Sequence, residues 1–300
     1  MSVRRSPWIL TFVFLCAILV ILVGAVALFV YWMGGGRGFS RGDQVAVVRI
    51  EGMIRRADGV VEALRRYDRD SRVKAIVLRI ESPGGAVGPT QEIFEAVKRV
   101  NSRKKVVASL GAVAASGGYY AACAAERIVA NPGTITGSIG VVVHFANLEK
   151  LMEKLGIKGE VIKSGAYKDM GLPHRGLTEE ERELIKQVVD DVHGQFVEAV
   201  AVQRGLPMEE VQQMADGRIF SGRQAKELGL VDRLGGLHEA IRLAARLGGI
   251  QGEPQVVEEP RESFSILRLL LGRGMDEILP AAQGGIPFVG YLMEPPGLGP

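Results

Sequence analysis

The sequence predicts an α/β protein built on a mostly parallel sheet, with one long apolar helix in front of it. Three observations carry that reading. Short runs rich in β-branched residues, at 44–50, 73–80, 105–110 and 127–131, alternate with runs whose apolar residues recur at helical spacing. Alternation of this kind makes βαβ units, and these make parallel sheets. Residues 8–33 carry no charge and are almost wholly apolar. Breakers such as Ser82-Pro83-Gly84-Gly85 follow directly on expected strands, where parallel sheets form their sites.

The apolar run comes first. About 25 residues at 1.5 Å rise make roughly 37 Å of helix, enough for a hydrocarbon core of about 30 Å. Trp8 at one end and Tyr31-Trp32 at the other suit the two interfaces. The apolar core of a cleavable signal peptide is shorter, about 7–15 residues. Residues 1–33 are therefore expected to be a short tip and an uncleaved transmembrane anchor. Arg4 and Arg5 before it are balanced by Arg37 and Arg41 after it, so charge alone does not orient it. Residues 34–43, rich in Gly and Arg, read as a linker.

The main domain is expected over 44–248. Its first strand, 44–50, leads to a helix over 57–70 with Val60, Val61, Leu64 and Tyr67 on one face. After the strand 73–80, Glu81-Ser82-Pro83-Gly84-Gly85 reads as a turn and 90–101 as a helix. The strand 105–110 runs into Gly111-Ala112-Val113-Ala114-Ala115-Ser116-Gly117-Gly118-Tyr119-Tyr120, from which an Ala-rich helix leaves. Residues 127–131 form another strand, and 132–143 a bent strand or a turn feeding one. A helix over 148–155 ends at Gly156. A short strand at 160–163 and a loop at 164–169 follow. Thr178 and Glu181 have capping-box spacing and open a long helix to about 203. Leu184, Ile185, Val188, Val189, Val192 and Phe196 lie along one face of it. Helices at 207–214, 221–229 and 237–247 complete the domain. Residues 249–300 are rich in Gly and Pro around a helix-like piece at 264–271, and read as a tail that docks on a neighbour or is partly disordered.

Composition excludes several functions. Lys and Arg number 37 against 34 Asp and Glu, and aromatics are 6%, so neither a basic nucleic-acid footprint nor a base-stacking surface is present. Cys16 lies in the apolar run and Cys123 far from it, so no disulfide is expected between them. The four histidines, His144, His174, His193 and His238, have no metal-ligand spacing.

Ser116 is the candidate nucleophile. It sits at a strand-to-helix junction flanked only by Ala and Gly, so a substrate backbone can come close. The N–H groups at the helix start can meet a developing oxyanion. A plain N-cap followed by a tight Gly-Gly contact accounts for the same residues. A serine hydroxyl needs a base. His193 lies on a polar helix face, His174 in a Pro-flanked loop, and His144 has no carboxylate placed beside it. A lysine serves instead when its pKa falls from about 10.4 towards neutrality, which asks for desolvation or a nearby cation. Lys168 in the small-residue loop is that candidate, against the ordinary reading of a solvated surface charge. Asp169 beside it has to point away for the scheme to work.

Four ordered stretches together resemble the signal peptide peptidase A family, single-unit form, of serine peptidases with a Ser-Lys dyad. They are Ser82-Pro83-Gly84-Gly85; Ala114-Ala115-Ser116-Gly117-Gly118-Tyr119-Tyr120; Asn131-Pro132-Gly133-Thr134-Ile135-Thr136-Gly137-Ser138-Ile139-Gly140; and Ser164-Gly165-Ala166-Tyr167-Lys168-Asp169. The resemblance covers about residues 44–247. It implies a Clp protease/crotonase-like domain of ββα spiral units. It makes Ser116 the nucleophile, Lys168 the general base and Ser138 a hydroxyl that orients the lysine. The N–H groups of Gly85 (or Gly84) and Gly117 form the oxyanion hole, and no metal, nucleotide or other cofactor is needed. Cys123 belongs to the core.

The resemblance also implies a ring-like homo-oligomer, with Ser116 and Lys168 supplied by different protomers. It implies a single-pass protein of the bacterial cell membrane with its catalytic domain outside. The substrates are apolar peptides, above all remnant signal peptides. A protease of the same dyad type partnered by a stomatin-like protein, a crotonase-like acyl-CoA enzyme and a silent peptide-binding scaffold are the competing readings.

Overall fold

The computed structural model describes residues 7–33, 42–258 and 289–292 of the 300-residue chain. It divides into two compact units, Met1–Gly42 and Asp43–Pro300. In the first, a single helix α1, Pro7–Met33, spans 27 residues. Its side chains are described at Trp8, Phe12 and residues 14–26, all exposed. Taken over the described residues alone, no helix is long and apolar enough to cross a membrane.

The second unit is a mixed α/β domain. Its strands β1 (Gln44–Glu51), β2 (Val73–Ser82), β4 (Lys105–Ala115), β5 (Arg127–Ala130), β9 (Arg233–Leu234) and β10 (Gln255–Glu258) lie side by side in the order β10-β1-β2-β4-β5-β9. Every neighbouring pair along that path is parallel. The central strands are buried on both faces, and this is why they read as nearly continuous apolar runs. Alternate residues separate cleanly. Val45, Val47, Ala75, Val77, Val107 and Val129 pack against Ala240, Leu243 and Ala244 of helix α9, Leu237–Leu247. Ala46, Val48, Ile76, Leu78, Ala108 and Leu110 face the larger core. That core also holds Ala63, Leu64 and Tyr67 of α2 (Asp58–Arg69) and Ile93, Phe94 and Val97 of α3 (Val87–Asn101).

Three expectations are corrected. Glu81-Ser82-Pro83-Gly84-Gly85 is not a simple turn: Ser82 closes β2, and Gly84–Ala86 forms a further strand, β3. Residues 160–163 form no strand. Of the tail, Gln255–Glu258 extends the main sheet beside β1, and Val289–Leu292 (β11) pairs antiparallel with β3 and with β7, Val142–Val143. These pieces dock on their own chain. The helix-like piece at 264–271 lies outside the described residues.

The long helix α6, Glu179–Arg204, opens on the expected capping box of Thr178 and Glu181. Its apolar face behaves differently at its two ends. Phe196, Val197, Val200 and Ala201 are buried, whereas Val188 is 50% exposed. The expected stripe from Leu184 to Phe196 is thus fully buried only at its C-terminal end, with Leu184, Ile185, Val189 and Val192 half-buried.

Candidate active site

Ser116 is delivered by a bend in β4. Pairing with β2 runs regularly to Ile80↔Leu110 and resumes at Ser82↔Ala114, so β4 carries extra residues at 111–113. Glu81 accepts the Ala112 N–H at 2.8 Å, and Thr134 Oγ1 donates to the Gly111 carbonyl at 2.6 Å. Gly111 has no room for a Cβ, because the Glu81 carboxylate fills that space. Beyond the bend, residues 113–115 pair with β6, Ile135–Gly137. The strand therefore runs five residues past the expected end and stops on the serine.

At Ser116 the backbone takes φ 53° and ψ −120°, a region open to glycine and costly for other residues. Its N–H donates to the Gly137 carbonyl at 2.8 Å. Helix α4, Gly117–Cys123, leaves from it, held by the Tyr119 hydroxyl on the Leu230 carbonyl at 2.9 Å and by the Tyr120 ring between Phe94 and Phe196. The side chain does not cap the helix. Its hydroxyl is fully buried and has no hydrogen-bond partner. The plain N-cap reading is thereby removed.

Gly117 faces the β3 glycines: a Cβ on it would lie 3.3 Å from Gly85 N and 3.3 Å from Gly84 Cα. A Cβ on Gly85 would lie 2.6 Å from Ile54 N, so that position has no space for a side chain. The Gly84 N–H donates to Ser82 Oγ at 3.1 Å, which engages it inside the turn. Among the described residues only two non-glycine residues have positive φ, Ser116 and Ser138 at 52°. They are neighbours through the Ala115↔Gly137 pairing and the Ser116 N–H bond to Gly137. Ser138 is itself buried, its N–H donating to the Arg218 carbonyl at 2.8 Å.

Residues 144–178 form an arm of a different kind. Helix α5, Glu149–Lys154, has no buried residue, Ile162 is fully exposed, and Leu151 and Leu155 are more than half exposed. Lys168 sits on a turn of this arm, its N–H on the Gly165 carbonyl at 3.2 Å and its side chain exposed. Asp169, next to it, is buried and turned onto Arg175 and Lys163.

The comparisons with known proteins agree with this geometry. The chain matches Peptidase family S49 over residues 98–251 and Clp protease over residues 44–135. The chain belongs to peptidase family S49. A Synechocystis sp. protein named "Putative protease" is 43% identical over 233 residues, 76% of this chain and 83% of that protein. A Methanocaldococcus jannaschii protein of the same designation is 32% identical over 288 residues, 88% of this chain and 92% of its own. "Serine protease SPPA, chloroplastic" of Arabidopsis thaliana is 36% identical over 260 residues, 81% of this chain but only 38% of the plant protein. The resemblance carried by the four motifs is thus met, and the chain is a serine-type peptidase of the signal peptide peptidase A family.

Other groups of this S49 peptidase are unsuited to the chemistry. Burial pushes the Cys123 thiol up to about 12, so it carries no thiolate near neutral pH. Both cysteines are free. Among the described residues no group of three or more His, Cys, Asp or Glu is arranged to hold a metal ion. A cavity of about 510 Å³ lies between α9 and β10, lined by His238, Arg242 and Arg246 among others, and includes none of the candidate site residues.

Two features were not read from the sequence. One is the small second sheet, in the order β3-β11-β7, where a strand of the chain's own C-terminal part lies between the glycine strand and the strand after Ser138. The other is the ion-pair cluster beneath Lys168. Its acidic and basic residues were visible, but their partners come from loops that only folding brings together.

Proposed function

We propose that this S49 peptidase is a membrane-anchored endopeptidase in which Ser116 is the nucleophile and Lys168 of a neighbouring copy is the general base. The observation that carries the reading is the Ser116 hydroxyl: buried, unpartnered, on strained backbone and followed directly by Gly117, which lies against the β3 glycines. An unmet buried hydroxyl is costly, and such strain concentrates at reactive residues. Neutral Lys168 takes the proton from Ser116 Oγ as it attacks the peptide carbonyl. The oxyanion is met by the Gly117 N–H and by that of Gly85, since Gly84 already donates to Ser82. Lys168 then passes the proton to the leaving amine, and water activated by the same amine releases the acyl-enzyme. Ser138 accompanies the lysine as its hydrogen-bonding partner. The substrate enters as an extended strand along β3, in the position β11 holds.

The shape of α6 supports delivery from a second copy. The lysine loop is tied to Glu181 at its start, whereas Phe196, which touches the nucleophile's helix, lies about 22 Å further along. The exposed apolar residues of the arm, with Val188 of α6, suit burial against neighbours in a ring. Helix α1, uncharged over 27 residues and about 40 Å long, serves as a single-pass anchor in the bacterial cell membrane, with residues 1–7 on the cytoplasmic side and the peptidase unit outside. Its position beside the bilayer suits apolar substrates such as remnant signal peptides.

The test is hydrolysis of synthetic signal peptides, followed by mass spectrometry, with Ser116→Ala, Lys168→Ala and Lys168→Arg. All three are expected to be inactive, the arginine because guanidinium does not deprotonate at working pH. Co-assembled Ser116→Ala and Lys168→Ala chains are expected to recover activity. Substantial turnover by any single variant ends the dyad, and absence of recovery in verified mixed oligomers ends delivery from a neighbour.

A further inference from the structure

The arm places a carboxylate directly after the lysine proposed as base. A carboxylate within about 4–6 Å of an ammonium favours its charged form and opposes general-base action. The structure deals with Asp169 through one residue. Arg175 grips it with both edges of its fork, Nε to Oδ2 at 3.0 Å and Nη2 to Oδ1 at 2.9 Å. Lys163 Nζ adds a bond to Oδ1 at 2.6 Å. Arg175 Nη1 also reaches Glu181 Oε2 at 2.8 Å, and Nη2 bonds the other oxygen of the same carboxylate. Glu181 in turn accepts the Thr178 N–H at 2.9 Å in the capping box of α6. Asp169 and Glu181 are about 95% or more buried by their surroundings in the arm, at 5% and 3% exposure. The Lys168 amine, by contrast, has no hydrogen bond or ion pair among the described residues.

We propose that Arg175 is a positioning residue for Lys168: it turns the Asp169 carboxylate away from the amine and locks the lysine loop to the start of α6. This rests on the reading of Lys168 as general base and adds to it the reason an acidic neighbour is tolerated. The bidentate fork explains why arginine stands there, since a lysine could not hold two carboxylates in fixed planes. Lys163 is excluded as the base by the same geometry, being bound to Asp169 and to the Ala166 carbonyl at 2.8 Å. Hydrogen bonds from Arg175, then Lys163, hold the Asp169 carboxyl far below the usual carboxylate range, so it stays an anion at every working pH. Its charge has to be screened and aimed, because it is never removed by protonation.

The groups facing Asp169 are Arg175, Lys163 and, at 4.0 Å from Oδ2, His174 Nε2, with Glu181 beyond Arg175. The test is the pH profile of kcat/KM for the full-length enzyme on a synthetic signal peptide. All variants carry His174→Gln, so that imidazole titration does not overlap the acid limb. Arg175→Gln loses a cation and releases the carboxylate, and is expected to move the acid limb up by about 1 unit, a roughly tenfold loss at neutral pH with KM little changed. Arg175→Lys is expected to fall between it and the parent. Arg175→Gln with Asp169→Asn should return the limb towards the parent position although the network stays broken. A purely structural role predicts an equal loss at all pH values and no rescue by Asp169→Asn, and that result overturns the proposal. If Lys168→Ala keeps the parent's activity, the general-base reading fails instead, and the two failures are told apart.

Discussion

Replacing Ser116 by alanine is expected to make the protein more stable while it removes activity. In the folded chain the hydroxyl is fully buried and unpartnered. In the unfolded chain it is hydrated, so folding takes away its water without replacement, at a cost of about 1–3 kcal/mol. Alanine keeps the Cβ and the positive φ, so only the hydroxyl contribution changes, and a gain of about 1 kcal/mol or more is expected. Glycine goes further, because the backbone strain at φ 53° costs serine about 1–3 kcal/mol, offset by about 0.5–1 kcal/mol for glycine's greater freedom when unfolded. The expected order is Gly at or above Ala, and both above Ser. The comparison belongs in a Lys168→Ala background, where no neighbouring amine can reach the hydroxyl. Urea midpoints at fixed protein concentration and a common slope give the differences, and 1 kcal/mol corresponds to about 2–4 °C in Tm for a domain of this size. Loss of 1 kcal/mol or more in Ser116→Ala, with the slope unchanged, would show that the hydroxyl has a structural partner and refute the reasoning.

Four further outcomes are expected. Gly85→Ala presses a methyl on the Ile54 backbone; kcat should fall by about 100-fold or more, as for loss of one oxyanion donor, with overpacking costing about 1–3 kcal/mol, and unchanged kcat would remove Gly85 from the site. Glu181 is held down to about 2, first by Arg175, and Asp169 lower still, so their stabilisation is complete above the ordinary carboxylate range near 4 and is lost as pH falls towards 2; timed pepsin digestion should cut first within 160–176 as pH falls through this window, and uniform cutting would contradict it. Cys123, with its thiol near 12, should resist iodoacetamide at pH 8 until denaturant is added, as read by peptide mapping. Gly290 lies opposite Ala86 on β3 and Val142 on β7, so Gly290→Pro, lacking an N–H, should weaken β11 and lower KM at constant kcat; an unchanged KM would show that β11 does not share the substrate's position.

Much of this was open to a reader of residues alone. The apolar runs at 44–50 and 73–80 predict central parallel strands because burial on both faces demands them, and they form. Thr178 and Glu181 announce α6 because capping is settled within one helical turn. Ser116 stands out because small neighbours at a strand-to-helix junction are a local arrangement. The end of β4 was not visible: the expected strand stops before Gly111, a position whose missing Cβ leaves room for Glu81 from another strand. The short strands β3 and β11 escaped as well, since three or four residues carry no periodicity and are defined only by what they pair with.

Periodicity, capping and motif order are written in residues close along the chain, so the α/β class, the main helices, the candidate serine and lysine, and the family were legible in the residues alone. Tertiary structure decided what depends on partners far apart in sequence. It set the strained backbone of Ser116 against Gly137, engaged the Gly84 amide, turned Asp169 onto Arg175, and left apolar residues of the arm exposed. The reason is that burial and hydrogen-bond satisfaction are properties of groups brought together, and no single stretch of chain holds both members of those pairs.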